Sequence, residues 1–131
     1  MENGYRYKFL VALIAGFLAC GCGLASAQEA NGAAWYTKVG SIIIDDANYG
    51  GCAVNLSVPP SAQSALNCST AWLSLDCSGV VNTKSQGAAK LAAAQLAFVT
   101  QQCIRVAAYD LPKFNGHCYG VQITNTTNTN C

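Results

Sequence analysis

The chain has 131 residues, of which 52% are hydrophobic and 10% are charged, and its formal net charge is +1. That length suits one domain, and the even balance of charge lacks the basic stripe that marks a nucleic-acid-binding protein. We therefore predict a single small domain with no nucleic-acid partner.

The N-terminal stretch has the features of a secretory signal peptide. Arg6 and Lys8 precede an uncharged run that ends in Ala-Ser-Ala at residue 27, a small-x-small cleavage signature. We predict that Met1–Ala27 is removed and that residues 28–131 form the domain, secreted or periplasmic and without a membrane partner after cleavage. The alternative is an uncleaved membrane anchor, for which the run is just long enough but rich in glycine, cysteine and alanine.

The chain contains eight cysteines, and two of them, Cys20 and Cys22, lie in the predicted signal peptide. An even set remains, which suits three disulfides in an oxidising compartment. A lipidated N-terminus is an alternative, but neither leader cysteine follows a Leu-Ala-Gly type box. Acylation of Cys22 would leave the same even set, so the count excludes only Cys20. The remaining cysteines are Cys52, Cys68, Cys77, Cys103, Cys118 and Cys131.

The first two predicted strands form a hairpin. Residues Trp35–Ile44 are rich in aromatic and β-branched side chains and predict a strand. The stretch Asp45–Gly51 ends in paired glycines, which supply the positive φ that a turn requires. Residues Cys52–Val58 predict the second strand, and the prolines at positions 59 and 60 end it because they cannot donate to a ladder.

The third strand and the helix follow a linker. Residues Ala71–Asp76 predict a strand with Leu73 and Leu75 on one face. Thr83 and Gln86 have the spacing of a capping box, so we predict a helix from there to about Thr100. Apolar residues at three- and four-residue spacing predict the buried face of this alanine-rich helix. They are Ala88, Leu91, Ala92, Leu96 and Val99.

Two more strands complete the domain. Residues Ile104–Tyr109 and Tyr119–Thr124 predict the fourth and fifth strands, joined by a turn that contains Pro and Asn-Gly. The residues predicted to share one face are Ile104, Val106 and Ala108 on the fourth strand and Tyr119, Val121 and Ile123 on the fifth. Residues 125–131 predict a polar tail, tied down by Cys131. The order β-β-β-α-β-β is that of a five-stranded OB-type barrel, which makes the class α+β and mostly β. The alternative is an open sheet with the helix on one face.

The stretch Trp72–Ile123 carries a resemblance. Its runs DCSG, AQLAF, CIRV and NGHCYGVQI resemble those of small secreted bacterial proteins, most of which lack an assigned activity. The strand order is similar to that of the OB-fold B subunits of bacterial A-B toxins, which form pentameric rings and bind cell-surface glycans. The likeness to the toxins is one of fold only. It implies a glycan or protein partner and a homo-oligomer.

The first resemblance also implies one disulfide. The cysteines common to that group correspond to Cys77 and Cys118, so we predict that these two are bonded. The other four allow three pairings, among which the sequence does not choose.

The residues that carry chemistry predict no enzyme. His117 is the one histidine of the chain, and catalysis requires a nucleophile or carboxylate held beside it. We interpret it as a surface or packing residue. Asp45 and Asp46 are adjacent in a turn, where a solvated role is favoured over acid–base catalysis. No Cys-x-x-Cys pair is present, so we predict neither a metal site nor another cofactor.

Aromatic side chains with polar neighbours predict a ligand-binding surface. Aromatic faces beside amide and hydroxyl groups are what a neutral sugar or a protein partner would use. Trp72 is opposite in phase to the core leucines, which favours a position outside the core; the alternative is that it packs under the helix or a loop. We predict a secreted, non-enzymatic binding module, or alternatively an assembly subunit of a surface structure. The predicted ligand-binding residues are Trp72, Tyr49, Asn48 and Tyr36.

Overall fold

The structure is a computed structural model, and it describes residues 30–45, 48–68 and 70–131. The predicted signal peptide, Met1–Ala27, and the two leader cysteines lie outside the described residues. Within the described ranges, the helix lacks the length and hydrophobicity that would take it across a bilayer.

The described chain folds into one mixed sheet of six strands with a single α-helix. The strands lie in the order β1-β5-β6-β4-β3-β2, and β4 and β6 are parallel whereas the other pairs are antiparallel. A short 3₁₀ turn, Pro60–Ala62, follows β3. The elements are β1 (Gly32–Thr37), β2 (Val39–Ile44), β3 (Cys52–Leu56), β4 (Trp72–Ser74), α1 (Lys84–Thr100), β5 (Ile104–Phe114) and β6 (His117–Asn125).

The first predicted strand is two strands in the structure, so the sheet has six strands where five were predicted. The chain begins its first strand at Gly32 and interrupts it at Lys38. The backbone carbonyl of Lys38 accepts from Ser57 N at 3.0 Å, and the backbone N–H of Lys38 donates to the Ser57 hydroxyl at 3.0 Å. These bonds hold Lys38 against the residue that follows β3, where it joins two strands that lie at opposite edges of the sheet.

The sheet is curled rather than flat, but it is not a closed barrel. Because only Lys38 separates β1 from β2, and a residue spans at most about 3.6 Å, the chain carries one edge of the sheet back to the other. No ladder joins β1 to β2. The described architecture is therefore a six-stranded mixed sheet with one helix, mostly β.

In the core, the alternation predicted for β5 is confirmed, whereas Leu73–Asp76 is buried at every position, so its two predicted faces do not differ in burial. Leu73 and Leu75 are fully buried, as are Ile104 and Val106 on β5. On β6 the predicted face was wrong for Val121, which is 40% exposed. Ala107 pairs with Gln122 whereas Ala108 pairs with Gly120, so Val121 is the extra residue of a bulge and leaves the alternation.

The helix begins as predicted but buries a different face. Thr83 accepts from Gln86 N, and the Gln86 side chain accepts from Thr83 N at 3.0 Å, so the capping box is confirmed. Of the five residues predicted to be buried, Leu91 packs partly against the core, whereas Leu96 is 54% and Val99 is 78% exposed. The buried positions are Gly87, Lys90, Ala94 and Ala97.

Close approach of the helix to the end of β4 explains this rotation. A Cβ on Gly87 would lie 2.4 Å from the carbonyl oxygen of Asp76 and 2.8 Å from Cys77 Cα. Only glycine fits at that distance, so the helix faces the sheet with Gly87 and its neighbours on that side, and Leu96 and Val99 point outward.

All six cysteines of the domain are paired, but the predicted bond between Cys77 and Cys118 was wrong. The bonds are Cys52–Cys77, Cys68–Cys118 and Cys103–Cys131. The parallel register of β4 and β6 places Cys118 opposite Leu73, four residues before Cys77 and thus beyond the roughly 7 Å that a disulfide spans. Three disulfides fit an oxidising, extracellular or periplasmic compartment.

Candidate functional site

Three rings from different parts of the chain meet beside the parallel strands β4 and β6. Tyr49 lies in the turn between β2 and β3, Trp72 begins β4 and His117 begins β6. The ring centroids of Tyr49 and Trp72 are 6.4 Å apart, and those of Tyr49 and His117 are 4.7 Å apart, both in tilted geometry. These separations are typical of favourable aromatic pairs. We refer to Tyr49, Trp72 and His117 as the aromatic cluster.

The turn that carries Tyr49 is fastened to β4. The Ser74 hydroxyl donates to the Tyr49 carbonyl at 2.7 Å, and Ser78 N donates to the Gly50 carbonyl at 2.9 Å. Gly50 has φ of 71°, and a Cβ there would lie 2.6 Å from Ser74 Oγ and 2.9 Å from the Phe114 ring. Glycine is needed for both reasons. The fastened turn gives the tyrosine ring a defined position.

His117 is the buried member of the cluster. It is 6% exposed, and its Nδ1 shares a hydrogen bond with the Thr70 hydroxyl. That hydroxyl is also within 3.2 Å of the Trp72 carbonyl, to which it donates. The Thr70 hydroxyl thus links the imidazole to the Trp72 backbone. Burial lowers the pKa of His117, which makes the neutral ring the form present at pH 7.

The cluster does not contain the parts of a catalytic triad. A base that activates a nucleophile is itself oriented by a third group, commonly a carboxylate. Among the described residues, the hydrogen-bond partner of His117 is Thr70, and Tyr49 covers its ring. Such an arrangement positions the tyrosine and the tryptophan backbone.

Of the four predicted binding residues, the structure brings Tyr49 and Trp72 into contact and places Asn48 beside Tyr49. Tyr49 and Trp72 are in contact and half-buried, and Asn48 is exposed in the same turn as Tyr49. Tyr36 does not belong to this surface. It is 54% exposed on β1, opposite Arg105 of β5, and β5 and β6 separate that strand from β4.

Sequence reasoning missed the contribution of Thr70 and His117. Their separation in sequence is 47 residues, so no local pattern joins them. The one available signal is the short spacing of Thr70 and Trp72, which allows a hydroxyl to bond the backbone two residues along the chain.

Asp76 is a buried carboxylate that shapes the entry into the helix. It adopts φ of 55° and accepts from the backbone N–H groups of Val80, Val81 and Asn82 at 2.7–2.9 Å and from the Ser78 hydroxyl at 3.0 Å. Burial acts to raise the pKa of Asp76, but these four donors outweigh it and the pKa lies below its usual value. The carboxylate is thus saturated by structural hydrogen bonds.

Asp110 of β5 has a comparable structural role. Its carboxylate accepts from Asn31 N at 2.7 Å and from the Asn31 side chain at 2.9 Å. The bond from the Asn31 side chain is the main reason that the pKa of Asp110 is lowered. Asp46 of the predicted acidic pair lies outside the described residues.

No group of three or more His, Cys, Asp or Glu side chains within the described ranges has an arrangement that would hold a metal ion. Comparison of the chain with protein-family models, curated proteins and solved structures gave no match. The function is therefore inferred from the geometry.

Proposed function

We propose that the protein is a secreted, non-enzymatic binding module that takes a neutral glycan on the aromatic cluster. The observation that carries this proposal is the contact between the Tyr49 and Trp72 rings at 6.4 Å, with both side chains half-buried and therefore partly open to solvent. Sugar C–H faces stack on such rings, and a few polar groups nearby supply specificity.

Polar groups at the rim of the cluster suit this ligand class. Asn48 is exposed beside Tyr49, and Asn55 of β3 is half-buried and paired in register with Trp72. An amide offers two donors and an acceptor, which matches the hydroxyl groups of a sugar. Ser74 is not available because it is fully buried and bonded to the turn.

The proposal includes an OB-like architecture. If β1, Lys38 and β2 act as one bent strand, five strands remain, and that bent strand pairs with β3 on one side and β5 on the other. The parallel pairing of β4 and β6 then completes a ring of neighbours. This order supports the likeness to toxin B subunits, and with it a surface glycan as the ligand class. The three disulfides support export.

A glycan array probed with the oxidised 28–131 chain tests the proposal. We expect Trp72→Ala to abolish the retained signals because it removes half of the stacking surface. Tyr36→Ala is the matched control, since Tyr36 is an exposed aromatic residue outside the cluster. Signals that are equal for wild type and Trp72→Ala, or a wild-type protein that retains no glycan, would overturn the proposal.

A second candidate function is that of an assembly subunit. The last two turns of α1 expose three large apolar side chains, Leu96, Phe98 and Val99, to 54%, 40% and 78%. Exposed apolar surface of this kind is typical of protein contacts. Size-exclusion chromatography with light scattering tests this function. An assembly subunit should form an oligomer that Val99→Glu dissociates. A wild-type protein that is monomeric at all concentrations would contradict it.

A further inference from the structure

A cleft lies between the first half of α1 and strand β6, away from the aromatic cluster. Its volume is about 250 Å³, and its lining includes the side chains of Asn82, Gln86, Lys90 and Gln122. Every one of these four side chains carries N–H groups that can donate a hydrogen bond. The cleft is therefore rich in donors.

Lys90 is the charged group of the cleft, and it is only 8% exposed. Its ammonium donates to the Gly120 carbonyl at 2.7 Å and to the Tyr119 hydroxyl at 3.4 Å, and it lies 4.6 Å from the centre of the Tyr119 ring. Both hydrogen-bond acceptors are neutral. Since an ammonium has three protons, one donor remains for a further acceptor.

No carboxylate of the described residues is hydrogen-bonded to this ammonium. Asp76 acts on it through space, but that carboxylate is saturated by its own four donors. Burial lowers the pKa of Lys90 to about 8, against the smaller opposing effect of Asp76. Buried charges are ordinarily paired, so an unpaired ammonium next to a cleft is a group that an anion would stabilise.

The amide side chains in the cleft have donors to spare. Asn82 Nδ2 is buried, and its side chain acts on the Tyr119 hydroxyl without forming a hydrogen bond of standard geometry. The Gln86 side-chain oxygen is used by Thr83 in the capping box, so its NH₂ group remains for the cleft. Gln86 also belongs to the first turn of α1, where the helix dipole favours negative charge.

We propose that this cleft binds a small oxyanion, with Lys90 supplying the charge and the amides of Asn82 and Gln86 supplying hydrogen bonds. The cleft volume of about 250 Å³ is below the usual range for pockets that hold drug-sized ligands. The occupant is therefore a carboxylate or phosphate group or a compact molecule that bears one. The site is independent of the glycan surface, because the two share no residue.

NMR titration of the oxidised 28–131 chain with acetate, and separately with inorganic phosphate, tests this site. We expect saturable shifts of amide signals around Lys90 and Gln86, and Lys90→Met should weaken binding by about tenfold or more. Lys84→Met is the matched control, because Lys84 is an exposed lysine in the first turn of the same helix; its affinity should equal that of wild type.

A second variant keeps the test decisive if Lys90→Met fails to fold. Ala89→Leu places a larger side chain in the cleft from an exposed helix position and leaves the ammonium in place, so it should block the probes. Shifts with acetate alone would assign a carboxylate site, and shifts with both probes a general oxyanion site. The proposal is overturned if neither probe saturates the wild-type protein, or if Ala89→Leu and Lys90→Met both bind like wild type.

Discussion

The ring of Tyr49 lies 4.7 Å from the imidazole of His117, although these residues belong to a turn near the start of the domain and to its last strand. The contact is held from both sides, since Ser74 bonds the Tyr49 backbone and Thr70 bonds the imidazole. His117 therefore packs directly against a ring of the proposed binding surface.

Acid should loosen the fold through His117. Because burial lowers the pKa of His117 in the folded state, the unfolded chain binds more protons between that lowered pKa and about 6.5, the ordinary histidine value. The free energy of unfolding therefore falls as the pH drops below about 6.5 and is flat just above it. Urea denaturation at a series of pH values measures this.

The matched variant for that measurement is His117→Phe, which keeps a ring against Tyr49 but cannot be protonated. Its free energy of unfolding should not fall in the same pH window. Asp76 and Asp110 both have lowered pKa values, so their effects come at lower pH. A wild-type slope that persists in His117→Phe would contradict the assignment.

Alkaline conditions should stabilise the fold through Lys90. The pKa of Lys90 is lowered from 10.5 to about 8, so between those values the unfolded chain binds more protons and stability rises with pH. We expect a rise of roughly 1–3 kcal/mol, since one pK unit corresponds to about 1.4 kcal/mol and water screens part of the shift. Lys90→Met should abolish the rise, and Lys84→Met should retain it.

Gly87→Ala should destabilise the protein although alanine is the better helix former. At an exposed helix position this change would stabilise by roughly 0.5–1 kcal/mol, but here the added Cβ would lie 2.4 Å from the Asp76 carbonyl oxygen. We expect a net loss of roughly 1–3 kcal/mol from overpacking. Ala88→Gly at the neighbouring exposed position is the control, with a loss of about 1 kcal/mol from helix propensity alone. Thermal unfolding that shows Gly87→Ala to be more stable than wild type would refute this packing.

Two of the disulfides should stabilise different parts of the protein, one the surroundings of Trp72 and the other the C-terminal tail. Cys68–Cys118 closes 50 residues and ends next to His117, whereas Cys103–Cys131 closes 28 residues and ties down the tail. In the chain-entropy treatment, removing the disulfide that closes the longer loop lowers the free energy of unfolding by about 4 kcal/mol. We expect Cys68→Ala with Cys118→Ala to lower stability and to change Trp72 fluorescence, while the tail pair leaves that fluorescence unchanged. Non-reducing peptide mapping checks the pairing itself, and a Cys77–Cys118 peptide would contradict it.

Local features of the domain followed from the sequence by itself. The capping box of Thr83 and Gln86, the burial of Leu73 and Leu75, and the pairing of all six cysteines each depend on neighbouring residues or on a count. A capping box closes within four residues, and strand alternation is a property of the backbone alone. The aromatic side chains of Tyr49 and Trp72, with their polar neighbours, were also the basis for predicting a binding surface.

Tertiary structure decided the features that depend on register and on close approach. The parallel register of β4 and β6 took Cys118 away from Cys77, and the bulge turned Val121 outward. The close contact at Gly87 rotated the helix so that Lys90 faces inward while Leu96 and Val99 face solvent. Such contacts join residues that are far apart in sequence, and their energies depend on distances of a few tenths of an ångström, which no local pattern encodes.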